Sequence, residues 1–372
     1  MVLSLVAVTS ALVPVAVNAG TRVPRTTCTN TTVLDTWSLP TLIRQVIVVP
    51  IEAPQIAQAG SLFKAGYGGV ILFGATGPSN FAAELNSLRA TVPNDAGIFV
   101  MTDDEGGGVW RLSNLLKPLP WARTMAQIMT AAQITAAATS AAKAMVKLGI
   151  TMDLAPVLDI DGKNVWPGAT DADGYRSFSG NGSVVAVDGT AFMKGLIAGG
   201  VVPVIKHFPG LGGVSPNTDD GAASTAPWAT VQKVSLPPFV AAVKAGAPAL
   251  MMSNATVPGL TTGPATLSSA AYNAVRTTLN FKGLIITDSL SAGAISAVHL
   301  SVPQASAVAV SDGAQMVLFG VPTKGTVSQM ATAILNAIFS DVATGTISRT
   351  TLVNDDAAIL KTRGVNLCST PG

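Results

Sequence analysis

Several apolar runs of this chain end in residues that can do chemistry. Val201-Val-Pro-Val-Ile205 leads into Lys206-His207 and the turn Phe208-Pro-Gly210. Leu284-Ile-Ile-Thr287 leads into Asp288. Thr102 is followed by Asp103-Asp-Glu-Gly-Gly-Gly-Val-Trp-Arg111. Asp153-Leu-Ala-Pro-Val-Leu-Asp159 opens a loop that carries Tyr175-Arg-Ser-Phe178. Carboxylates and forked cations are the groups that hydrogen-bond the hydroxyls of a polyol and hold a sugar ring. A lone carboxylate at the end of a buried strand, Asp288, is placed to attack a carbon electrophile, with Lys206, His207, Arg111 and Arg176 to keep it ionised. The two-carboxylate scheme of sugar-bond cleavage sets such a nucleophile about 5–5.5 Å from a proton donor in the retaining case. Taken alone, Lys206 and His207 read equally well as a lysine snorkelling at a strand end and an imidazole satisfied in the core.

The elements around these residues decide between those readings. Strand-like runs fall at Gln45–Ile51, Gly68–Phe73, Gly97–Thr102, Thr151–Ala155, the run ending at Lys206, Ala249–Ser253, Gly283–Thr287 and Ala314–Phe319. They are continuous and rich in β-branched residues, the pattern of strands covered on both faces. Helical patterns lie between them at Ile56–Ala65, Asn80–Ala90, Met125–Leu148, 183–198, Pro238–Ala245, Ser268–Leu279 with Ser268 as N-cap, Val302–Ser311 and Val327–Phe339, after a first helix at Trp37–Ile43. Alternating strands and helices give a parallel sheet, and eight units are the number that closes a (β/α)8 TIM barrel in a single domain. A doubly wound open sheet is the rival, but no Gly-x-Gly-x-x-Gly follows the first strand. In a barrel the chemistry-bearing ends all fall on one rim.

The chain has 372 residues, 48% hydrophobic and 11% charged, enough for a sizeable core and against disorder. A net charge of +2 without a basic stripe makes nucleic acid an unexpected partner. Val2 to Val17 is almost wholly apolar, and Val17-Asn18-Ala19 fits a cleavage site. Residues 1–19 therefore read as a signal peptide, or as an N-terminal anchor, and the protein is expected to be secreted or held at the cell envelope. In that oxidising setting Cys28 and Cys368, near the two ends, are expected to pair, the alternative being two free thiols. The expected layout continues with an extension over 20–44, the barrel over 45–345 and a tail over 346–372.

The motifs resemble the catalytic N-terminal domain of glycoside hydrolase family 3, in its single-domain branch of bacterial β-N-acetylhexosaminidases. The resemblance runs from about Gln45 to Phe339 and rests on 103–111, Leu154-Ala-Pro-Val-Leu-Asp159, Arg176-Ser-Phe178, Lys206-His-Phe-Pro-Gly210, Pro264-Ala-Thr-Leu-Ser268 and Phe281–Asp288. It implies a TIM barrel that hydrolyses β-linked N-acetylglucosaminides of the peptidoglycan or chitin type through a glycosyl-enzyme on Asp288. Asp103, Arg111, Arg176, Lys206 and His207 would bind the sugar. It implies no metal or organic cofactor, and no stable protein partner is inferred.

The branch normally carries Asp-Ser-His in the loop after Lys-His-Phe-Pro-Gly, where the histidine is the acid/base. Here that loop reads Asn217-Thr-Asp219-Asp220, so Asp219 replaces the histidine, and the chain's only histidines are His207 and His299. Gly108, Leu211 and Asn254 depart from the pattern too. Three readings remain open. Asp219 or Asp220 serves as acid/base; or it is lost and only substrates with good leaving groups react; or the chain is a sugar-binding pseudoenzyme at the cell surface. A β-glucosidase of the same family is a further alternative.

Overall fold

The computed structural model describes residues 28–212 and 216–369. Its strands are β1 (Ile47–Glu52), β2 (Gly69–Phe73), β3 (Phe99–Thr102), β4 (Asp104–Gly106), β5 (Val109–Trp110), β6 (Met152–Asp153), β7 (Val202–Phe208), β8 (Ala249–Met252), β9 (Leu284–Ser289) and β10 (Met316–Leu318). All but β4 and β5 form one closed barrel, in the order β1-β2-β3-β6-β7-β8-β9-β10. Every neighbouring pair is parallel, from Val48 beside Gly69 round to Val48 beside Leu318. Closure excludes the open-sheet rival. The strands are buried along nearly their whole length because side chains fill the inside and helices cover the outside.

The helices are α1 (Asn30–Leu34), α2 (Leu39–Gln45), α3 (Gly60–Ala65), α4 (Phe81–Arg89), α5 (Ala122–Ile128), α6 (Ala131–Leu148), α7 (Gly182–Gly199), α8 (Trp228–Val234), α9 (Leu236–Lys244), α10 (Ser269–Thr277), α11 (Gly293–Ser296), α12 (Val302–Asp312), α13 (Val327–Ala343) and α14 (Arg349–Arg363). Two details differ from expectation. The helix expected over Met125–Leu148 is two, because Met129 is extended and Thr130 caps α6 in a capping box with Gln133. Ser268 precedes α10 but its side chain makes no capping bond. After β3, β4 and β5 pair antiparallel as a short hairpin.

The expected tail contains α14, which packs against α1 and α2 beneath the barrel. Cys28 and Cys368 form a disulfide. Beside it, Asn30 Nδ2 donates to Val365 O, and Leu367 N donates to Asn30 Oδ1, each at 2.8 Å. Arg363 donates to the carbonyls of Gly68, Ala96 and Gly97, at the starts of β2 and β3, with its guanidinium 4.8 Å from the Phe99 ring. The expected signal or anchor, residues 1–19, lies outside the described residues, as do residues 20–27. Among the described residues no helix is long and apolar enough to cross a membrane.

Candidate active site

The strands deliver their polar ends to one rim, as parallel strands in a barrel must. Asp103, Arg111, Arg176, Lys206, His207, Asp219 and Asp288 all line a single cavity of about 340 Å³, with Phe73, Leu154 and Met251 on its apolar side. That volume lies at the small end of ligand sites and suits one sugar ring.

Lys206 and Glu105 form the centre of the site. The Lys206 ammonium reaches Asp103 Oδ1 at 2.8 Å and Glu105 Oε1 at 2.7 Å. One of its three protons is left for a ligand. The Arg176 guanidinium grips Glu105 with two bonds, Nε to Oε2 at 2.7 Å and Nη2 to Oε1 at 2.8 Å, and gives a third to Ala172 O. Burial pushes the Glu105 carboxyl up, but Arg176 and Lys206 outweigh it and hold it well below the usual range. Burial likewise disfavours the charged Lys206, and the Asp103 and Glu105 carboxylates more than offset it, so its pKa is raised. Backbone alternation explains the layout: Asp103 and Glu105 point one way along the start of the hairpin. Asp104 points the other way, toward Asp153 behind it. Burial, then the charges of Glu105 and Asp103, push Asp104 up to about 7.

His207 is oriented from below. Asp159 Oδ2 lies 2.6 Å from its Nδ1, and the same carboxylate accepts from the Leu211 backbone N–H at 2.7 Å. A proton on Nδ1 then leaves Nε2 as the ring atom with capacity for a ligand. Asp159, Asp173 and His207 could together chelate a cation, since one donor atom from each lies within 4.8 Å of the others. The Asp159 carboxylate is already engaged by His207 and backbone, however, and burial followed by the Asp159 charge favours the neutral acid at Asp173. The set therefore fits orientation of the imidazole better than metal binding.

Asp288 is half-buried near the C-terminal end of β9, and Ser289 N donates to its Oδ1 at 2.7 Å. Asn254, from the end of β8, donates to Ser289 O at 2.8 Å and braces that backbone. Burial raises the Asp288 pKa, His207 opposes this, the Asp219 charge adds to it, and Lys206 opposes it less. Of the four groups expected to keep Asp288 ionised, His207 and then Lys206 lower its pKa most. Arg176 is turned onto Glu105, and Arg111 lies 5.5 Å from the Phe73 ring.

Asp219 lines the same cavity and is exposed at its mouth. Its loop is held by α11: Gly293 N donates to Asp219 O at 2.8 Å and Ala294 N to Thr218 O at 2.9 Å. A Cβ at Gly293 would lie 2.6 Å from Asp220 C and 2.8 Å from Asp219 O, so only glycine lets the loop this close. Asn217 N donates to Ala169 O at 3.0 Å, joining the loop to the one after β6.

All seven expected site residues thus meet around one cavity. Two functional groups were missed. Glu105 was passed over although it shares the Asp103 motif, and its alternation with Asp103 was the available signal. Asp159 was seen only as the end of a run, and its pairing with His207 across β6 and β7 has no signal in spacing.

A closed barrel whose rim gathers carboxylates, three cations and an oriented imidazole around a sugar-sized cavity defines a barrel carbohydrate hydrolase. The family model described as the glycosyl hydrolase family 3 N terminal domain matches residues 39–361. The chain belongs to that family and is a glycosidase that hydrolyses O-glycosyl compounds. The Beta-hexosaminidase LpqI of Mycobacterium tuberculosis is 33% identical over 294 residues, 76% of this chain and 73% of that protein. The solved structure of M. tuberculosis LpqI superposes with a TM-score of 0.81 at 28% identity, over 91% of this chain and 97% of that one. A family 3 β-N-acetylglucosaminidase from Paenibacillus sp. str. FPU-7 gives a TM-score of 0.78 at 25% identity, over 90% and 64% of the two chains.

Proposed function

We propose that this protein is a retaining β-N-acetylglucosaminidase with Asp288 as nucleophile and Asp219 as acid/base. The carrying observation is the placement of both carboxyl groups on one sugar-sized cavity, with Asp288 at the end of β9 and Asp219 at the mouth. Asp288 attacks the anomeric carbon and the bond to the leaving oxygen breaks as Asp219 gives that oxygen a proton. Water then attacks the same carbon, Asp219 takes its proton, and the Asp288 ester is released as carboxylate. Asp103, Lys206, Arg111, Arg176 and His207 hold the ring hydroxyls. The names of the relatives support N-acetylglucosamine as the sugar. The apolar Val2–Val17 run and the Cys28–Cys368 disulfide support action outside the cytoplasmic membrane, on peptidoglycan or chitin-type fragments.

The exposure of Asp219 favours a second reading, in which it gives little proton assistance and only activated substrates turn over. Hydrolysis of an aryl N-acetylglucosaminide and of an unactivated disaccharide separates the two, in wild type, Asp288→Ala and Asp219→Ala. The proposal expects Asp288→Ala to be inactive on both, and Asp219→Ala to lose the disaccharide far more than the aryl substrate. Equal effects of Asp219→Ala on both substrates would remove it as acid/base. Sugar binding without turnover of either substrate by wild type would mark a pseudoenzyme.

A further inference from the structure

Beside the cavity lies an aromatic cluster that the chemistry above does not use. Trp166 is 69% exposed. Its ring lies 5.3 Å from that of Trp121 and 5.9 Å from that of Tyr175, both edge-on. An exposed tryptophan by itself needs no explanation. This one stands on a loop that is rigidly held. The buried Arg123 guanidinium donates to the carbonyls of Asp161, Lys163, Gly174 and Ser177 and to Asn164 Oδ1, clamping the loop on both sides of Trp166. Tyr175 N donates to Val165 O at 3.0 Å and closes the loop beneath the ring.

The cluster is continuous with the cavity wall. Pro167, next to Trp166, lines the cavity, and so does Arg176, next to Tyr175. The hairpin tip fits under the rings only because it lacks side chains: a Cβ at Gly107, where φ is +61°, would fall 1.9 Å from the Trp121 ring. Through the bond from Asn217 N to Ala169 O, the same loop touches the one that carries Asp219.

We infer that Trp166 is the platform of the adjoining leaving-group subsite, taking the apolar face of the next pyranose ring of a β-linked oligosaccharide. The inference rests on the sugar reading of the cavity. An aromatic ring is a rigid apolar surface that stacks on a flat partner at low cost in conformational entropy. A cavity with room for one ring must place the second ring outside, and the preformed aromatic face lies at that edge. Binding energy gathered there from a part of the substrate that does not react can be used at the bond that breaks.

The test uses the Asp288→Asn enzyme, so that nothing is hydrolysed, and measures binding of N-acetylglucosamine and of its β-1,4-linked disaccharide by calorimetry. The disaccharide is expected to bind more tightly than the monosaccharide. Adding Trp166→Ala is expected to weaken the disaccharide by about tenfold, about 1.4 kcal/mol, with the monosaccharide unchanged. Trp166→Phe, which keeps a ring, is expected to recover most of that loss. Equal weakening of both sugars, or of neither, would overturn the platform while leaving the sugar cavity intact. Failure of both sugars to bind Asp288→Asn would instead overturn the sugar reading and the platform with it.

Discussion

Asp288 can attack only as a carboxylate, and its surroundings pull both ways: burial and Asp219 raise its pKa, while His207 and Lys206 lower it. The net shift is upward, so the acid limb of kcat/KM is expected above the ordinary aspartate value of about 3.9, with activity lost as pH falls through it. Asp219→Asn removes a like charge, so the limb for an aryl substrate should move to lower pH. A limb that stays in place would remove Asp219 from the neighbours of Asp288. Asp104 carries a second pH dependence. Three of the four carboxylate oxygens of Asp104 and Asp153 are buried without a hydrogen-bond partner. With the Asp104 pKa raised to about 7, the folded protein binds more protons than the unfolded chain above the unfolded value. Stability from this group is full below the unfolded value and lost as pH rises through about 7. Asp104→Asn needs no proton, so the thermal midpoint of that variant should fall less than that of wild type as pH rises from about 4 to about 7. An unchanged slope would place the titration elsewhere.

At the scale of elements, the loop that holds Asp219 depends on its seat against α11. Gly293→Ala would push a Cβ into the backbone of Asp219 and Asp220. A displacement of about 1 Å at a reacting group costs about 10²-fold in rate. Turnover of an unactivated disaccharide should fall by that order, while binding of N-acetylglucosamine to the cavity stays. Unchanged turnover would show that the position of the loop does not matter to catalysis. The same scale shows what was legible beforehand. The barrel strands were plain because covering both faces leaves continuous apolar runs such as Val46–Val49, and Asp288 and Lys206 stood out as charges closing such runs. Helix α14 was not legible because its buried face includes Asp355 and Asp356, which break the apolar period that marks a packed helix. The split between α5 and α6 was in the sequence, as Thr130 three residues before Gln133, and was overlooked. Glu105 was marked only by its alternation with Asp103, and Asp159 acts through His207, a partner from another strand that spacing along the chain does not reveal.

Over the whole molecule, the two ends of the described chain are tied together beneath the barrel, opposite the site. The disulfide joins residues 340 apart in sequence. Cross-links of long loops typically contribute about 2–4 kcal/mol, mainly by restricting the unfolded chain. Cys28→Ser/Cys368→Ser is therefore expected to lower the unfolding free energy from urea titration by that order, moving the midpoint down, without altering kcat, since the clasp lies away from the cavity. No change in the midpoint would show that Asn30, Arg349 and Arg363 hold the ends unaided. Arg349 contributes to the clasp by donating to the carbonyls of Asp35 and Trp37.

The central claim is that Asp288 becomes covalently glycosylated. A fluorinated N-acetylglucosaminyl fluoride, which slows breakdown of the intermediate and needs no proton at its leaving group, tests it most directly. Intact-mass and peptide mapping of the inactivated protein should find one sugar on the peptide containing Asp288, and none on Asp288→Ala. A sugar on another residue, or continued turnover by Asp288→Ala, would contradict the account.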